Sequence, residues 1–303
     1  MLIAALCRRF AGCVLAAVFA STAAAFDCPE LRAGTGSVDP GGFPTGLLWR
    51  VEAETGAKSY IFGTIHISDP RVTHLSPAVS AALERSSGFM MEVMFDADTV
   101  ARMSRAMYFY NGRSLSQLLP PELYTRVVDL LARYEVSSAA ADRLKPWAAY
   151  TTLSLPPDQH APPLDLILMN AAQAAGKTLS GLETLDEQIA VFDELSEHEQ
   201  LELLTLTACH YDSFQAEVDE MIAYYESEDL AGMMRMAARY ESPLQERFMD
   251  LLLRQRNHRM VARMHDGLAR GGMFIAIGAL HLPGKEGVLN LLQADGYRLT
   301  RVQ

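Results

Sequence analysis

Two short stretches, far apart in the chain, combine residue types that can do chemistry. Ser59-Tyr60-Ile61-Phe62-Gly63-Thr64-Ile65-His66 and Met273-Phe274-Ile275-Ala276-Ile277-Gly278-Ala279-Leu280-His281 share one form. Each is an apolar run of strand length followed by glycine, two residues and histidine. Glycine at a strand end lets the backbone turn sharply and leaves the next side chain uncovered. If the two strands are neighbours in one sheet, both imidazoles emerge at the same edge, where open α/β sheets bind ligands. Paired imidazoles suit metal binding or proton transfer. Either stretch taken singly reads equally well as a strand end with a solvated histidine; the repetition sets the pair apart.

Carboxylates accompany them. Glu92 ends a third apolar run, Phe89-Met90-Met91-Glu92-Val93, where a carboxylate is costly unless it meets a cation, a metal or solvent. Glu183, in Ser180-Gly181-Leu182-Glu183-Thr184, stands where a short strand passes into a helix. It can bind a metal or act as a base, or simply be an acid favoured at a helix start. Arg256-Asn257 lies on a helix shortly before the second histidine stretch. Arg256 can hold a carboxylate, or belong to a basic helix face with Arg254, Arg259 and Arg263. Asp165 follows Pro163-Leu164 and reads as the cap of the next helix. His198-Glu199-Gln200-Leu201-Glu202 lacks the second histidine of H-E-x-x-H. No G-x-S-x-G nucleophile elbow occurs.

The elements that must position these residues follow from periodicity and punctuation. Residues 47–51 and 60–64 read as strands joined by the turn Glu54-Thr55-Gly56-Ala57. Ser76-Pro77 opens a helix, and 89–94 is a third strand. Residues 96–176 are mostly helical, broken by prolines, and 178–181 is a short strand. Ser196-Glu197-His198-Glu199 matches a capping box. Helices continue to Arg270, where Gly271-Gly272 stops them. A strand at 274–277, a helix at 285–294 and a strand at 297–302 close the chain. The expected class is α/β: a central mixed β-sheet from N- and C-terminal strands, flanked by helices, with a large helical insertion. The order of the strands is not legible.

Residues 1–25 read as a signal peptide. Arg8 and Arg9 precede the apolar run 10–20, and Ala23-Ala24-Ala25 fits the cleavage site. The expected location is secreted or periplasmic, with no membrane anchor after cleavage. Residues 26–46, rich in glycine, read as an irregular lead-in. Cleavage leaves Cys28 and Cys209, which in an oxidising compartment either form one disulfide or remain separate thiols. The formal net charge of −11 disfavours nucleic acid and anionic membranes as partners.

Taken in order, Gly63-Thr64-Ile65-His66, Glu92, Gly181-Leu182-Glu183-Thr184, Arg256-Asn257 and Gly278-Ala279-Leu280-His281 resemble the TraB/GumN family, which is related to the Tiki metalloproteases. The resemblance makes residues 47–303 one TraB/GumN-like domain. Asp165 matches an acid of the family, whereas Leu164 and Gln255 depart from its pattern. It implies an α/β fold with a cleft formed by both Gly-x-x-His motifs and both glutamates, and a metal-dependent peptidase.

The expected function is a secreted metal-dependent hydrolase of peptides or proteins. His66, His281, Glu92 and Glu183 are the metal-ligand candidates. Glu92, Glu183 and Arg256 are the catalytic candidates, and Arg256 and Asn257 would bind substrate. Two histidines and one carboxylate suit Zn, and a more oxygen-rich shell suits Mn or Co. Two other readings remain open: a hydrolase using a histidine base without metal, and a non-catalytic protein that sequesters a peptide or a haem-like ligand.

Overall fold

The computed structural model describes residues 26–34, 38–157 and 161–302; the signal-peptide reading of 1–25 lies outside them. A six-stranded mixed sheet has the order β4-β3-β5-β2-β1-β6. Its strands are β1 (Leu48–Glu52), β2 (Lys58–Thr64), β3 (Gly88–Met91), β4 (Thr178–Gly181), β5 (Met273–Gly278) and β6 (Arg298–Arg301). β1 and β2 form the expected hairpin, with Ala53 N–H donating to Ala57 and Gly56 at φ 81° in the turn. β2, β5, β3 and β4 run parallel, and β6 returns antiparallel on β1. Parallel strands covered on both faces read as continuous apolar runs. Accordingly, Phe274 to Ile277 are all buried, and Phe89 stacks on Phe274 across the strand pair.

Helices cover both faces. Pro77–Arg85 starts at Ser76, whose hydroxyl accepts from Val79 N–H, as its Ser-Pro signature predicts. Gln255–Arg270 ends at Gly271 and Gly272, both at positive φ. Its buried residues Met260, Val261, Met264 and Leu268 recur at helical spacing. Arg256 and Asn257 continue the same face one turn earlier, so two polar side chains are carried to the sheet's upper edge on a core-facing stripe. The excursions between β3 and β5 build two further apolar clusters. One is centred on Leu123, Leu131, Trp147 and Leu204, the other on Val191, Leu203, Leu244 and Phe248. The helical insertion thus carries cores of its own.

Most boundaries fall within one or two residues of expectation, and two differ by three. β3 ends at Met91, not Met94, because the chain turns after its last pairing with Ala276 and Gly181. Glu92 therefore sits just past the strand end. The last helix spans Val288–Ala294 with Gly287 before it; residues 282–287 are a turn in which Gly284 takes φ 98°.

The lead-in crosses the molecule as a strap. A disulfide joins Cys28 to Cys209, the last residue of helix Glu197–Cys209. Ala33 forms an antiparallel bridge with Tyr240, and Pro40 accepts from Gly284 N–H. Closing a loop with a sequence separation of 181 contributes about 2–5 kcal/mol through the unfolded state. No helix among the described residues is long and apolar enough to cross a membrane.

Candidate active site

The parallel pairing of β2 with β5 sets Gly63 beside Ile277 and Thr64 beside Gly278. Both histidines therefore leave the same edge of the sheet, and Glu92 leaves the next strand, β3. An added methyl carbon at Gly278 would lie 3.3 Å from Glu92 Oε1, 3.4 Å from His281 Cδ2 and 3.6 Å from His66 Nε2. The three side chains surround one small space that a side chain at 278 would fill.

Each imidazole is fixed through Nδ1. His66 Nδ1 lies 2.7 Å from Asp165 Oδ2, while Asp165 Oδ1 accepts from the Thr64 hydroxyl at 2.5 Å. A carboxylate only accepts, so Nδ1 carries the proton. His281 Nδ1 lies 2.6 Å from Asn257 Oδ1. The Asn257 amide nitrogen donates to the Glu286 carbonyl at 2.7 Å, which settles which end of the amide is the acceptor. Both Nε2 atoms are left toward the shared space. Such back-bonding through the second ring nitrogen is usual for metal-binding histidines.

The carboxylates share one cation. Arg256 Nη2 donates to Glu92 Oε2 at 2.6 Å and to Glu183 Oε2 at 2.7 Å, and its Nε donates to Glu183 at 2.9 Å. Its Nη1 reaches the Leu252 carbonyl at 3.1 Å, within the π-helical turn Asp250–Arg254. That wider turn immediately precedes the helix that carries Arg256. Gln188 bridges the two glutamates at 3.2 and 3.4 Å. Glu92 Oε1 accepts from Gly278 N–H at 2.7 Å and faces His281 Nε2 at 3.7 Å. Glu183 is fully enclosed; among the described residues its Oε1 has no hydrogen-bond partner, and Arg259 Nε is 3.5 Å away.

The two histidines differ in exposure, 59% for the His66 side chain and 5% for that of His281. The adjacent Asp165 charge raises the His66 pKa to about 9. Burial lowers that of His281 to about 4, against the pull of Glu92. Burial alone would raise the Glu92 carboxyl; His281, Arg256 and His66 outweigh it and hold the group well below the usual carboxylate range.

Among the described residues, no group of three or more His, Cys, Asp or Glu is gathered as a ready-made cation site. The donor chemistry nevertheless fits one. Two ligands on a tetrahedral ion with bonds of about 2.1 Å stand about 3.4 Å apart, close to the 3.7 Å between His281 Nε2 and Glu92 Oε1. His66 Nε2, which borders the same space, would supply the third donor once it loses its proton.

The residues singled out in sequence thus converge, with two changes of role. Asp165, read there as a helix cap, is not the cap: Pro163 occupies that position, and the Asp165 carboxylate is buried against Thr64 and His66. Asn257, expected to touch substrate, has both ends of its amide engaged by His281 and Glu286. Gln188, Thr64 and Tyr225 were missed. Tyr225 donates to the Gly63 carbonyl at 2.8 Å and supports the first histidine loop. A glutamine one turn into a helix that follows Glu183 was the only sequence signal for Gln188.

The family model of the TraB/PrgY/gumN family matches residues 47–301. Among curated proteins, the zebrafish Metalloprotease TIKI2 is 27% identical over an alignment covering 84% of this chain and 60% of its own length. Human Metalloprotease TIKI1 is 25% identical, with 84% and 61% covered. The Metalloprotease TIKI homolog of Amphimedon queenslandica is 23% identical over the same shares. The chain spans about 60% of the length of these relatives. No solved structure matches it. With the model covering nearly the whole described chain beyond the strap, this protein belongs to the TraB/PrgY/gumN family.

Proposed function

We propose that this protein is a secreted metal-dependent hydrolase of peptide bonds. The observation that carries the reading is the matched pair of imidazoles: each is fixed at Nδ1, by Asp165 or Asn257, and both rings border the space beside Gly278 that Glu92 also borders. The Tiki relatives, named metalloproteases, support it. His66, His281 and Glu92 would hold a divalent ion, Zn, Mn or Co. Such an ion, when bound, supplies an acidified water and polarises a carbonyl. Glu183 is the alternative carboxylate for ligand or base, but it is enclosed behind Arg256, and Glu92 has the better reach. Arg256 donates to both carboxylates and supplies positive charge toward a developing oxyanion. The leader-like residues 1–25 and the Cys28–Cys209 disulfide support an oxidising, extracytoplasmic location.

Hydrolysis of a quenched fluorescent peptide library tests this directly. Activity should vanish on exhaustive chelation and return with Zn²⁺, Mn²⁺ or Co²⁺. Activity that persists without metal would overturn the reading. It would favour a histidine base, for which the exposed His66 backed by buried Asp165 is the specific support.

A further inference from the structure

Two cavities beside the site adjoin each other and carry carboxylates without cations. The first, of about 550 Å³, is walled by Met234, Met249, Leu253, Leu280 and Asn257. The second, of about 890 Å³, lies beneath the strap at Pro29 to Ala33 and is walled by Leu206, Phe214, Met221 and Met236. Tyr240, Glu241, Ser242, Gln245 and Glu246 border both, so together they make one groove along that linker. Each is of ligand-pocket size. The groove begins at Asn257, whose Oδ1 is 2.6 Å from His281, and ends beside the Cys28 disulfide.

Its walls are apolar and its free charge is negative. Glu30, Glu202, Glu241 and Glu246 line it, and none has an ion-pair partner among the described residues. The other wall charges are largely engaged. Glu217 meets Arg239 and the Tyr240 hydroxyl, Arg254 meets Asp250, and Lys285 faces Asp39. Arg32 is the one wall cation left without an acid among the described residues. Four uncompensated carboxylates above methionine, leucine and phenylalanine side chains complement a ligand that is cationic and apolar together. The strap also supplies main chain. Ala33 is exposed, and its own N–H and C=O have no partner among the described residues, which leaves one free backbone edge beside the groove. Extended peptides use such edges.

We infer that this groove binds an extended peptide segment rich in Lys or Arg and in apolar residues. Calling that segment part of the substrate rests on the hydrolase reading above; the binding itself does not. Held there, a substrate is anchored at a distance from the bond to be cut and beside the loop that carries His281.

Fluorescence anisotropy with three labelled peptides of equal length tests it: one alternating Lys and Leu, one Glu and Leu, one Ser and Leu. The Lys peptide should bind at least tenfold more tightly than either of the others and weaken as salt is raised. The variant E202Q/E241Q/E246Q should lose at least fivefold in affinity for it. A control with the same charge change on distant exposed acids, E84Q/E122Q/D129N, should change by less than twofold. Thermal melts check that both variants fold. Equal losses in the two variants would mean attraction by net charge alone and overturn the proposal, as would unchanged affinity in the groove variant. The His66→Ala/His281→Ala protein should bind the Lys peptide as the wild type does. Its binding is separate from any loss of hydrolysis, so failure of the enzyme reading and failure of the groove are told apart.

Discussion

The two Gly-x-x-His loops share one motif and are opposite in electrostatics. His66 is open to solvent and backed by a carboxylate, with its pKa raised to about 9. His281 is enclosed and backed by an amide, with its pKa lowered to about 4. The motif places a ring at a sheet edge; the residue behind the ring and the depth of burial decide its charge. At neutral pH the metal-free site therefore pairs one cationic imidazole with one neutral imidazole, and only His281 offers a free lone pair without first losing a proton.

The largest perturbation of this asymmetry should come from Arg256. Replacing it with Met leaves Glu92 and Glu183 buried without their cation, and removal of one partner from such a buried set costs about 3–5 kcal/mol. Urea unfolding reads this as a large fall in midpoint; a loss below about 1 kcal/mol would mean that the pair is already solvated. The two glycines separate next. A methyl at Gly63 would meet Leu282 Cδ1 at 2.7 Å and the Ala279 backbone at 3.1 Å, so Gly63→Ala should cost about 1–3 kcal/mol by overpacking. At Gly278 the methyl instead enters the space between the histidines and Glu92, where φ is −54° and suits alanine. Gly278→Ala should abolish peptide hydrolysis yet leave stability within about 1 kcal/mol of wild type. Equal behaviour of the two variants would dissolve the distinction between a packing glycine and a site glycine.

Exchanging the partners sharpens the comparison further. In Asp165→Asn, His66 should titrate near the ordinary histidine value of about 6.5 instead of about 9, and metal affinity should fall about 10–100-fold. In Asn257→Asp, His281 should rise above about 4. Imidazole NMR titrations check both, and unmoved values would show that the residues behind the rings do not set their charge. The smallest effect is on stability against pH. The raised His66 pKa contributes stability that is complete below about 6.5 and lost as pH climbs through about 9. The depressed His281 pKa works oppositely: protonation is disfavoured in the fold, so stability falls as pH drops from about 6.5 toward about 4. Unfolding midpoints of the metal-free protein should peak between these limits. Asp165→Asn should remove His66's share of the alkaline decline and spare the acid one, a modest change because His66 is largely exposed.

Much of this was legible in the chain because it rests on local rules. The hairpin turn at Gly56, the Ser76-Pro77 helix start, the Ser196 capping box and the Gly271-Gly272 stop all depend on neighbours within a few residues. The strand order β4-β3-β5-β2-β1-β6 was not legible, since it depends on pairings such as Gly63 with Ile277 across more than two hundred positions. The same limit explains Asp165. At a helix start an aspartate has a sufficient local explanation, and nothing nearby in sequence signals that its carboxylate reaches back to Thr64 and His66. Asn257 was recognised as belonging to the site, but its role facing His281 required the turn after β5 to be placed.

The most direct test of the central claim, that two differently tuned imidazoles and Glu92 form one metal site, is elemental mass spectrometry. The protein is purified without chelator beside the His66→Ala/His281→Ala variant, and both are checked for folding. The account predicts about one divalent ion per wild-type chain and none in the variant. Equal metal in the two proteins, or none in the wild type after Zn²⁺, Mn²⁺ and Co²⁺ have each been supplied, would contradict it.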